Sequence, residues 1–390
     1  MSPRPAAGRV PLPAGFVAYT GHVGLRDAGD DLSVVLSSRP CASAGMFTRN
    51  RFEGPSVTVS RPRAASGRAR AVVTVAKNAN VATGPQGLAD ALEVTGLVAG
   101  ATGLPGEEVL ISSTGVIGRP YPMELLRSHL ATLPRASWRA DALDVATAMM
   151  TTDTVAKTAV QRAGPARLVG MAKGVGMIEP NLATMLAYVV TDAAVEPAVL
   201  DRLWRRAVDD TFNCLSVDTD TSTSDTAVVL ANGAAGPVGE AELAVALREV
   251  CLDLTLQLAR DGEGATKLLT VTVRGGRDGE QARRVAKSVL NSPLVKTAVH
   301  GADPNWGRVA MAVGKCEDAD IDPQRVSIRF GDLEAYPDIP GEEGLARLQE
   351  TLRDDHVEIE VDLGIADAEA TVYGCDLTAD YVRINADYTT

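Results

Sequence analysis

An α/β (α+β) fold is what the sequence predicts, and three observations carry it. Short β-prone apolar runs alternate with helix-period stretches along the whole chain. Gly, Pro, Asp and Asn punctuate the joins. No internal repeat, low-complexity tract or heptad array interrupts the alternation. With 390 residues, 45% apolar and 23% charged, the chain is long and apolar enough to bury the cores of more than one domain.

Residues 1–14 contain prolines and arginines and read as a loose N-terminus. β-prone runs follow at 15–20, 32–37, 56–60 and 71–75. AKNANVATG, residues 76–84, reads as a polar loop. Leu88, Ala91, Leu92, Val98 and Ala99 keep helical spacing over 88–99. A strand at 109–112 runs into Thr114-Gly115-Val116-Ile117-Gly118. Helices are expected at 121–132 and 137–150, and strands at 167–172 and 185–190. Glu196-Pro197 opens an amphipathic helix to residue 211, because proline is preset for a first helical turn. NCLSVDTDTSTSDT, residues 213–226, leads to a strand at 227–230. A long helix spans 239–260, then a strand at 268–273 and a helix at 280–290. Residues 291–308 read as a long irregular stretch, which a plain connector has little reason to be. Strands at 326–330, 357–361 and 370–373, with a helix at 342–353, complete the chain. A composition shift over 233–239 marks the expected boundary between an N-terminal domain, 15–235, and a C-terminal one, 236–390.

Charge and cysteines exclude several function classes. A net charge of −12 argues against nucleic-acid or anionic-membrane partners. Cys41, Cys214, Cys251, Cys316 and Cys375 are far apart, odd in number and form no CxxC pair, which argues against a zinc site and a disulfide scaffold. The N-terminus lacks the apolar core of a signal peptide and no stretch is apolar enough to span a membrane, so a cytoplasmic protein is expected. Residues 218–226 alternate acidic side chains but lack the central glycine and closing glutamate of an EF-hand, and hydroxyls bonding backbone turns account for them. His22, His129, His300 and His356 form no metal motif, and no phosphate-binding glycine loop appears, so neither metal nor cofactor is expected.

The chemistry concentrates on GMAKGVGMIEPNLATMLAYVVTD, residues 170–192, where a glycine-rich loop feeds a buried strand. Thr184 stands at the junction, after Ala183. Were the Ala183–Thr184 bond cut, Thr184 would carry an α-amine of pKa about 8 beside its own hydroxyl. That amine could act as the base for a threonine nucleophile in acyl transfer. Thr114 and Gly115, just past a strand, could supply a hydroxyl and a backbone N–H to a tetrahedral oxyanion; an ordinary strand-to-turn join is the alternative. Lys173, between Ala172 and Gly174, could meet a substrate carboxylate or simply be a solvated lysine. Glu263 lies between two glycines at a helix end, where it could face an amine or merely sit in a routine helix stop.

Eight ordered motifs then resemble one family. They are STGVIG (113–118), MTTDT (150–154), AKGVGMIEPNLATML (172–186), DTSTSDT (220–226), DGEGATK (261–267), NSPLVKTA (291–298), DPNWGR (303–308) and YGCDLT with YVRINADYTT at the close. From about residue 15 onward the chain resembles the ornithine acetyltransferase family, also called ArgJ or glutamate N-acetyltransferase.

The resemblance implies an αββα-like sandwich of N-terminal-nucleophile-like type with a smaller C-terminal α/β domain. It implies self-cleavage before Thr184, pieces that stay together, and an α2β2 heterotetramer. The implied reaction moves acetyl from N-acetylornithine to glutamate by a ping-pong cycle through acetyl-Thr184, in arginine biosynthesis, with acetyl-CoA as a candidate co-substrate. The rival activity is a self-processed N-terminal-threonine aminopeptidase or amidohydrolase. By the same resemblance Thr184 is nucleophile and new N-terminus, and Thr114 and Gly115 form the oxyanion hole. Thr151 (rather than Thr152), Lys173, Thr184, Glu263, Asn385 and Thr390 bind substrate. Glu179, before the proline of GMIEP, departs from many arginine-pathway members and is more like paralogues of clavulanic-acid-type clusters.

Overall fold

A computed structural model describes residues 8–131, 133, 137–179, 185–338 and 341–387. The chain divides into two compact units. One comprises the described residues up to Asn213 together with Asp220–Leu258; the other comprises Cys214–Thr219 and the described residues from Ala259 onward. The expected boundary at 235/236 precedes the long helix Glu240–Arg260, whose residues to Leu258 group with the first unit.

The first unit carries strands β1 (Phe16–Gly21), β2 (Leu32–Ser37), β3 (Ala42–Phe47), β4 (Ala71–Val75), β5 (Val109–Ser113), β6 (Lys157–Ala163), β7 (Ala166–Lys173), β8 (Leu186–Ala194) and β9 (Thr226–Pro237). Its helices are α1 (Pro55–Ala65), α2 (Gly84–Thr102), α3 (Met123–Leu130), α4 (Ala142–Met149), α5 (Pro197–Asp209) and α6 (Glu240–Arg260). Two sheets form, ordered β1-β2-β4-β5 and β3-β9-β8-β7-β6. In each, one parallel pair is joined through a helix, β4 to β5 through α2 and β8 to β9 through α5.

Alternation along the strands decides the layering. Val35, Val72 and Leu110 of the first sheet and Met171, Leu186, Tyr188, Val190 and Val228 of the second share one buried core, so the sheets pack face to face. Tyr188 bridges them with its hydroxyl, bonded to Thr74 at 2.8 Å and to Ser112. The opposite face of the first sheet buries Val34, Val73 and Ile111 against Val94 and Val98 of α2 and Leu126 and Leu130 of α3. On the second sheet's outer side, Trp204 of α5 donates to the Ala227 carbonyl at 3.2 Å. Leu254 of α6 packs so close to Gly170 that a Cβ there would stand 2.7 Å from its Cδ1 and push that side chain aside. The unit is an αββα sandwich, the fold class expected.

The second unit holds β10 (Leu268–Gly276), α7 (Gly279–Leu290), α8 (Pro293–His300), α9 (Trp306–Gly314), β11 (Ser327–Phe330), β12 (Leu333–Tyr336), α10 (Glu342–Thr351), β13 (His356–Asp362), β14 (Ala368–Cys375) and α11 (Ala379–Asp387). Its sheet runs β12-β11-β13-β10-β14, with β10 and β13 parallel.

Two expectations are corrected. The run 56–60 is not a strand but part of α1. Its apolar alternation, Val57 and Val59, is overridden by Pro55 at the first turn and by Ser60, whose hydroxyl donates to the Ile111 carbonyl at 2.6 Å and accepts from the Ile111 N–H at 2.7 Å. The stretch 291–308 is not irregular: it contains α8 and opens α9. Ser292 caps the first by accepting from Val295 N, and Asn305 caps the second by accepting from Arg308 N.

Candidate active site

Within the sandwich, the candidate site begins where β5 ends. Thr114 continues the strand's pairing by donating its N–H to the Val75 carbonyl at 3.1 Å, and Val116 N–H donates to the Lys77 carbonyl at 3.3 Å. Gly115, between them, has φ +128°. A Cβ there would stand 2.2 Å from the Lys77 carbonyl carbon, so only glycine lets the two backbones cross. The crossing partner is itself unusual. Lys77, Asn80 and Ala82 all take positive φ without being glycine. Strain of this kind gathers where the surroundings over-determine a functional loop.

Lys173, the last residue of β7, is 9% exposed. Its ammonium donates to the Thr114 hydroxyl at 3.0 Å. Two expected site residues are thereby in direct contact. Thr151 joins the same neighbourhood by its backbone. Its carbonyl accepts from Lys77 Nζ at 2.5 Å, and its N–H donates to Asp153 Oδ2 at 3.0 Å.

Asp153 ties these parts together. Its Oδ1 accepts from the Gly174 N–H at 2.7 Å and from Lys157 Nζ at 2.8 Å, in an ion pair whose side chains are both wholly buried. Burial alone would push this carboxyl up. The charges of Lys173 and Lys157 and the bonds from Lys157 and Gly174 outweigh it and hold the group down at about 2. Lys77 is lowered from the ordinary lysine value, by burial first and then by Arg26 and Lys173, with Asp153 opposing. Arg26 reaches the end of α4, donating to the Ala148 carbonyl at 3.1 Å and the Met150 carbonyl at 2.7 Å. The result is a cluster of four cations around one buried carboxylate in an acidic protein.

Ala183 and Thr184 lie outside the described residues, as does Thr390. The described residues flanking 180–184 are anchored on the hydroxyl-rich segment. Glu179 N–H donates to the Asp220 carbonyl at 3.0 Å, and the Met185 carbonyl accepts from Thr226 N–H at 3.0 Å. The same segment takes bonds from Asn50 Nδ2 to the Thr221 carbonyl at 2.8 Å and from the Thr48 hydroxyl to the Ser222 carbonyl at 2.7 Å. Residues 218–226 therefore serve as a hydrogen-bonded scaffold, and among the described residues no acidic, His or Cys cluster could hold a metal ion.

In the second unit, Glu263 follows α6 in a tight turn. Gly264 has φ +70°, and a Cβ on it would stand 2.5 Å from the Tyr381 backbone nitrogen at the start of α11. The Thr378 hydroxyl donates to the Gly264 carbonyl at 2.7 Å. From the next turns of α11, Asn385 Nδ2 donates to Glu263 Oε2 at 2.9 Å. Two more expected residues, 122 positions apart, are thus in contact. Downstream of the turn, Asp376 accepts from the Thr266 hydroxyl at 2.5 Å and from the Thr266 and Lys267 N–H groups.

Sequence reading missed Lys77, Asp153 and Arg26. The asparagine-rich loop at 76–84 carried a signal, since Asn tolerates left-handed backbone better than most residues. Arg26 carried none, because the carbonyls its guanidinium bonds lie more than a hundred residues away.

Comparison with known proteins is consistent with this geometry. The ArgJ family model matches residues 17–390. The chain is 55% identical over 385 residues to glutamate N-acetyltransferase Oat2 of Streptomyces clavuligerus, covering 97% of this chain and 98% of that one. It is 53% identical over 379 residues to arginine biosynthesis bifunctional protein ArgJ 2 of a Nostoc species, again covering 97% and 98%. A crystal structure of arginine biosynthesis bifunctional protein ArgJ from Bacillus halodurans aligns at 40% identity and a TM-score of 0.50, covering 53% of this chain and all of that one.

Proposed function

The chain belongs to the ArgJ family, and from that premise we propose that it is a self-processing glutamate N-acetyltransferase that moves acetyl from N-acetylornithine to glutamate. The observation that carries the reading is the bond from Lys173 Nζ to Thr114 Oγ1 at 3.0 Å. It joins a cation fit for an amino-acid carboxylate to a hydroxyl fit for an oxyanion, the two functions an N-acetylamino-acid donor requires side by side.

The proposed course begins with processing. Thr184 Oγ attacks the Ala183 carbonyl carbon, the acyl group shifts from nitrogen to oxygen, and water opens the ester. Ala183 is left as a carboxylate and Thr184 with a free amine. That amine takes the hydroxyl proton as the hydroxyl attacks the acetyl carbonyl of N-acetylornithine. Thr114 and the Gly115 N–H receive the developing oxyanion. Ornithine leaves with a proton, and the glutamate amine then takes acetyl from Thr184. Lys173 meets the substrate carboxylate, Glu263 the ornithine side-chain amine, and Thr151, Asn385 and Thr390 complete the substrate contacts. Acetyl-CoA is the candidate second donor. The two pieces assemble as α2β2 in the cytoplasm; the setting is arginine biosynthesis, named for the 53% relative, or the secondary-metabolite pathway to which Glu179 points.

Intact mass under denaturing conditions tests the first step. Two chains, 1–183 and 184–390, are expected, and Thr184→Ala should give one uncut, inactive chain. Glutamate-dependent loss of N-acetylornithine without release of acetate then separates the transferase from an aminopeptidase or amidohydrolase. Efficient cutting of the Thr184→Ala chain would sink the nucleophile assignment.

A further inference from the structure

The geometry points to Lys77 as the cation that receives the side-chain carboxylate of the acetyl acceptor, a second carboxylate site beside Lys173 that sets preference for a dicarboxylic amino acid. The inference rests on the transfer reading above.

Lys77 is half-buried, and its ammonium has one partner among the described residues, the neutral Thr151 carbonyl at 2.5 Å. The carboxylate that acts on it from further away is Asp153. Asp153 is already bonded to Lys157 Nζ and to the N–H groups of Thr151 and Gly174. Arg26, Lys77, Lys157 and Lys173 thus gather around one buried carboxylate. Lys157 is matched by Asp153, and Arg26 has Asp30 and Asp31 nearby as well. The charge of Lys77 has no such match among the described residues, and it costs free energy until an anion arrives.

The two proposed substrates differ in what they bring. N-acetylornithine carries one carboxylate and a side-chain amine, whereas glutamate carries two carboxylates. One cation serves the carboxylate common to both, and Lys173 on Thr114 is in position for it. A second cation has a partner only in the acceptor half of the cycle. The backbone holds Lys77 for that role. Its φ of +69° is a conformation that non-glycine residues adopt at a cost, and its main chain underlies Gly115.

The test uses the full processed protein and three assays. Exchange of labelled ornithine into N-acetylornithine reports the donor half-reaction and needs no glutamate. Transfer to glutamate reports the full cycle. Transfer to glutamine, which lacks the second carboxylate, reports acceptor preference. Lys77→Gln keeps the side-chain length class and the backbone strain but removes the charge. It should raise the glutamate KM by about tenfold or more, as expected for losing a charge-assisted bond. It should narrow the glutamate-to-glutamine preference and leave the ornithine exchange within about twofold, the pattern of lost acceptor binding alone. Lys77→Arg should restore both the KM and the preference. Lys77→Met, which keeps the packed stem, gives the same reading should the Lys77→Gln protein prove unstable. An equal fall in exchange and transfer would make Lys77 a structural clamp on Thr151 and overturn the inference, as would an unchanged glutamate KM. Absence of glutamate-dependent transfer in the unaltered protein would strike the transfer reading itself.

Discussion

Lys173 and Thr114, 59 residues apart in sequence, meet side chain to side chain, the ammonium of one donating to the hydroxyl of the other at 3.0 Å. The bond gives the two residues separable roles in the proposed cycle. A hydroxyl polarised by an ammonium is a better donor to a developing oxyanion, so its effect belongs to the transition state. Thr114→Val should therefore lower kcat by about 10²–10³-fold with much smaller change in KM. Lys173→Met should raise KM for both amino-acid substrates and, by removing the polarising ammonium, lower kcat as well. Steady-state transfer kinetics check both, and a Thr114→Val effect confined to KM would move that hydroxyl from oxyanion donor to substrate binder.

Gly115→Ala should damage the same step by a backbone route. The added Cβ would stand 2.2 Å from the Lys77 carbonyl carbon, which is backbone and cannot swing aside. The φ of +128° adds strain of roughly 1–3 kcal/mol for any side chain. The loop must move, and the Gly115 N–H moves with it. The expected outcome is a large fall in kcat together with a measurable loss in denaturation free energy. Retention of wild-type kcat would show that the Gly115 N–H is no part of the oxyanion hole.

Asp153 predicts a pH dependence of stability with a definite sign. Its carboxyl is held down at about 2 in the folded chain against an ordinary value of 3.8. A depressed carboxyl stabilises the fold at pH above its unfolded value and loses that contribution as pH falls through the folded one. The shift corresponds to roughly 2 kcal/mol, lost between about pH 4 and pH 2. Asp153→Asn removes this dependence and takes the Asp153 charge away from the fully buried Lys157 ammonium. A cost of about 3–5 kcal/mol is expected from breaking a buried pair on one side. Urea unfolding of both proteins across that pH range is the measurement, and identical acid slopes would remove Asp153 as the source.

Much of this was legible in the sequence, and the boundary of legibility is physical. The inner strands announce themselves because burial on both faces demands continuous apolar runs, as in β4 (AVVTV) and the start of β8. Thr114, Lys173, Glu263 and Asn385 stand in the motifs that carry the resemblance, and the contacts Lys173–Thr114 and Glu263–Asn385 bring them together in pairs. Helix α1 was not legible, because Ser60 exchanges two hydrogen bonds with Ile111, and local alternation cannot report a partner 51 residues away. Strand β3, ASAGMF, escaped because Gly45 stands in its middle, where a Cβ would meet Phe47 and Ala64 at under 3 Å. By contrast the Ser292-Pro293 start of α8 is an N-cap followed by a first-turn proline and could have been read. The cations around Asp153 converge from the β1–β2 loop (Arg26), the loop after β4 (Lys77), β6 (Lys157) and β7 (Lys173), and only tertiary structure assembles them.

Asn385 and Glu263 support the last prediction. The Asn385 amide donates to Glu263 Oε2 at 2.9 Å and to the Tyr381 carbonyl at 3.0 Å, so α11 steadies the carboxylate. Gly264 makes that approach possible, since a Cβ there would stand 2.5 Å from the Tyr381 backbone nitrogen. If Glu263 receives the ornithine side-chain amine, Glu263→Gln removes a charge-assisted bond and should raise the N-acetylornithine KM by about 10–100-fold. Glutamate has no such amine, and its KM should change far less. Asn385→Ala should reproduce a weaker form of the same pattern, because the carboxylate remains but loses its orientation. Since the two side chains touch, the double variant should fall short of the summed effects by roughly 0.5–3 kcal/mol. Additive effects would mean that Asn385 acts on substrate independently of Glu263. An N-acetylornithine KM unchanged in Glu263→Gln would remove Glu263 as the receiver of that amine.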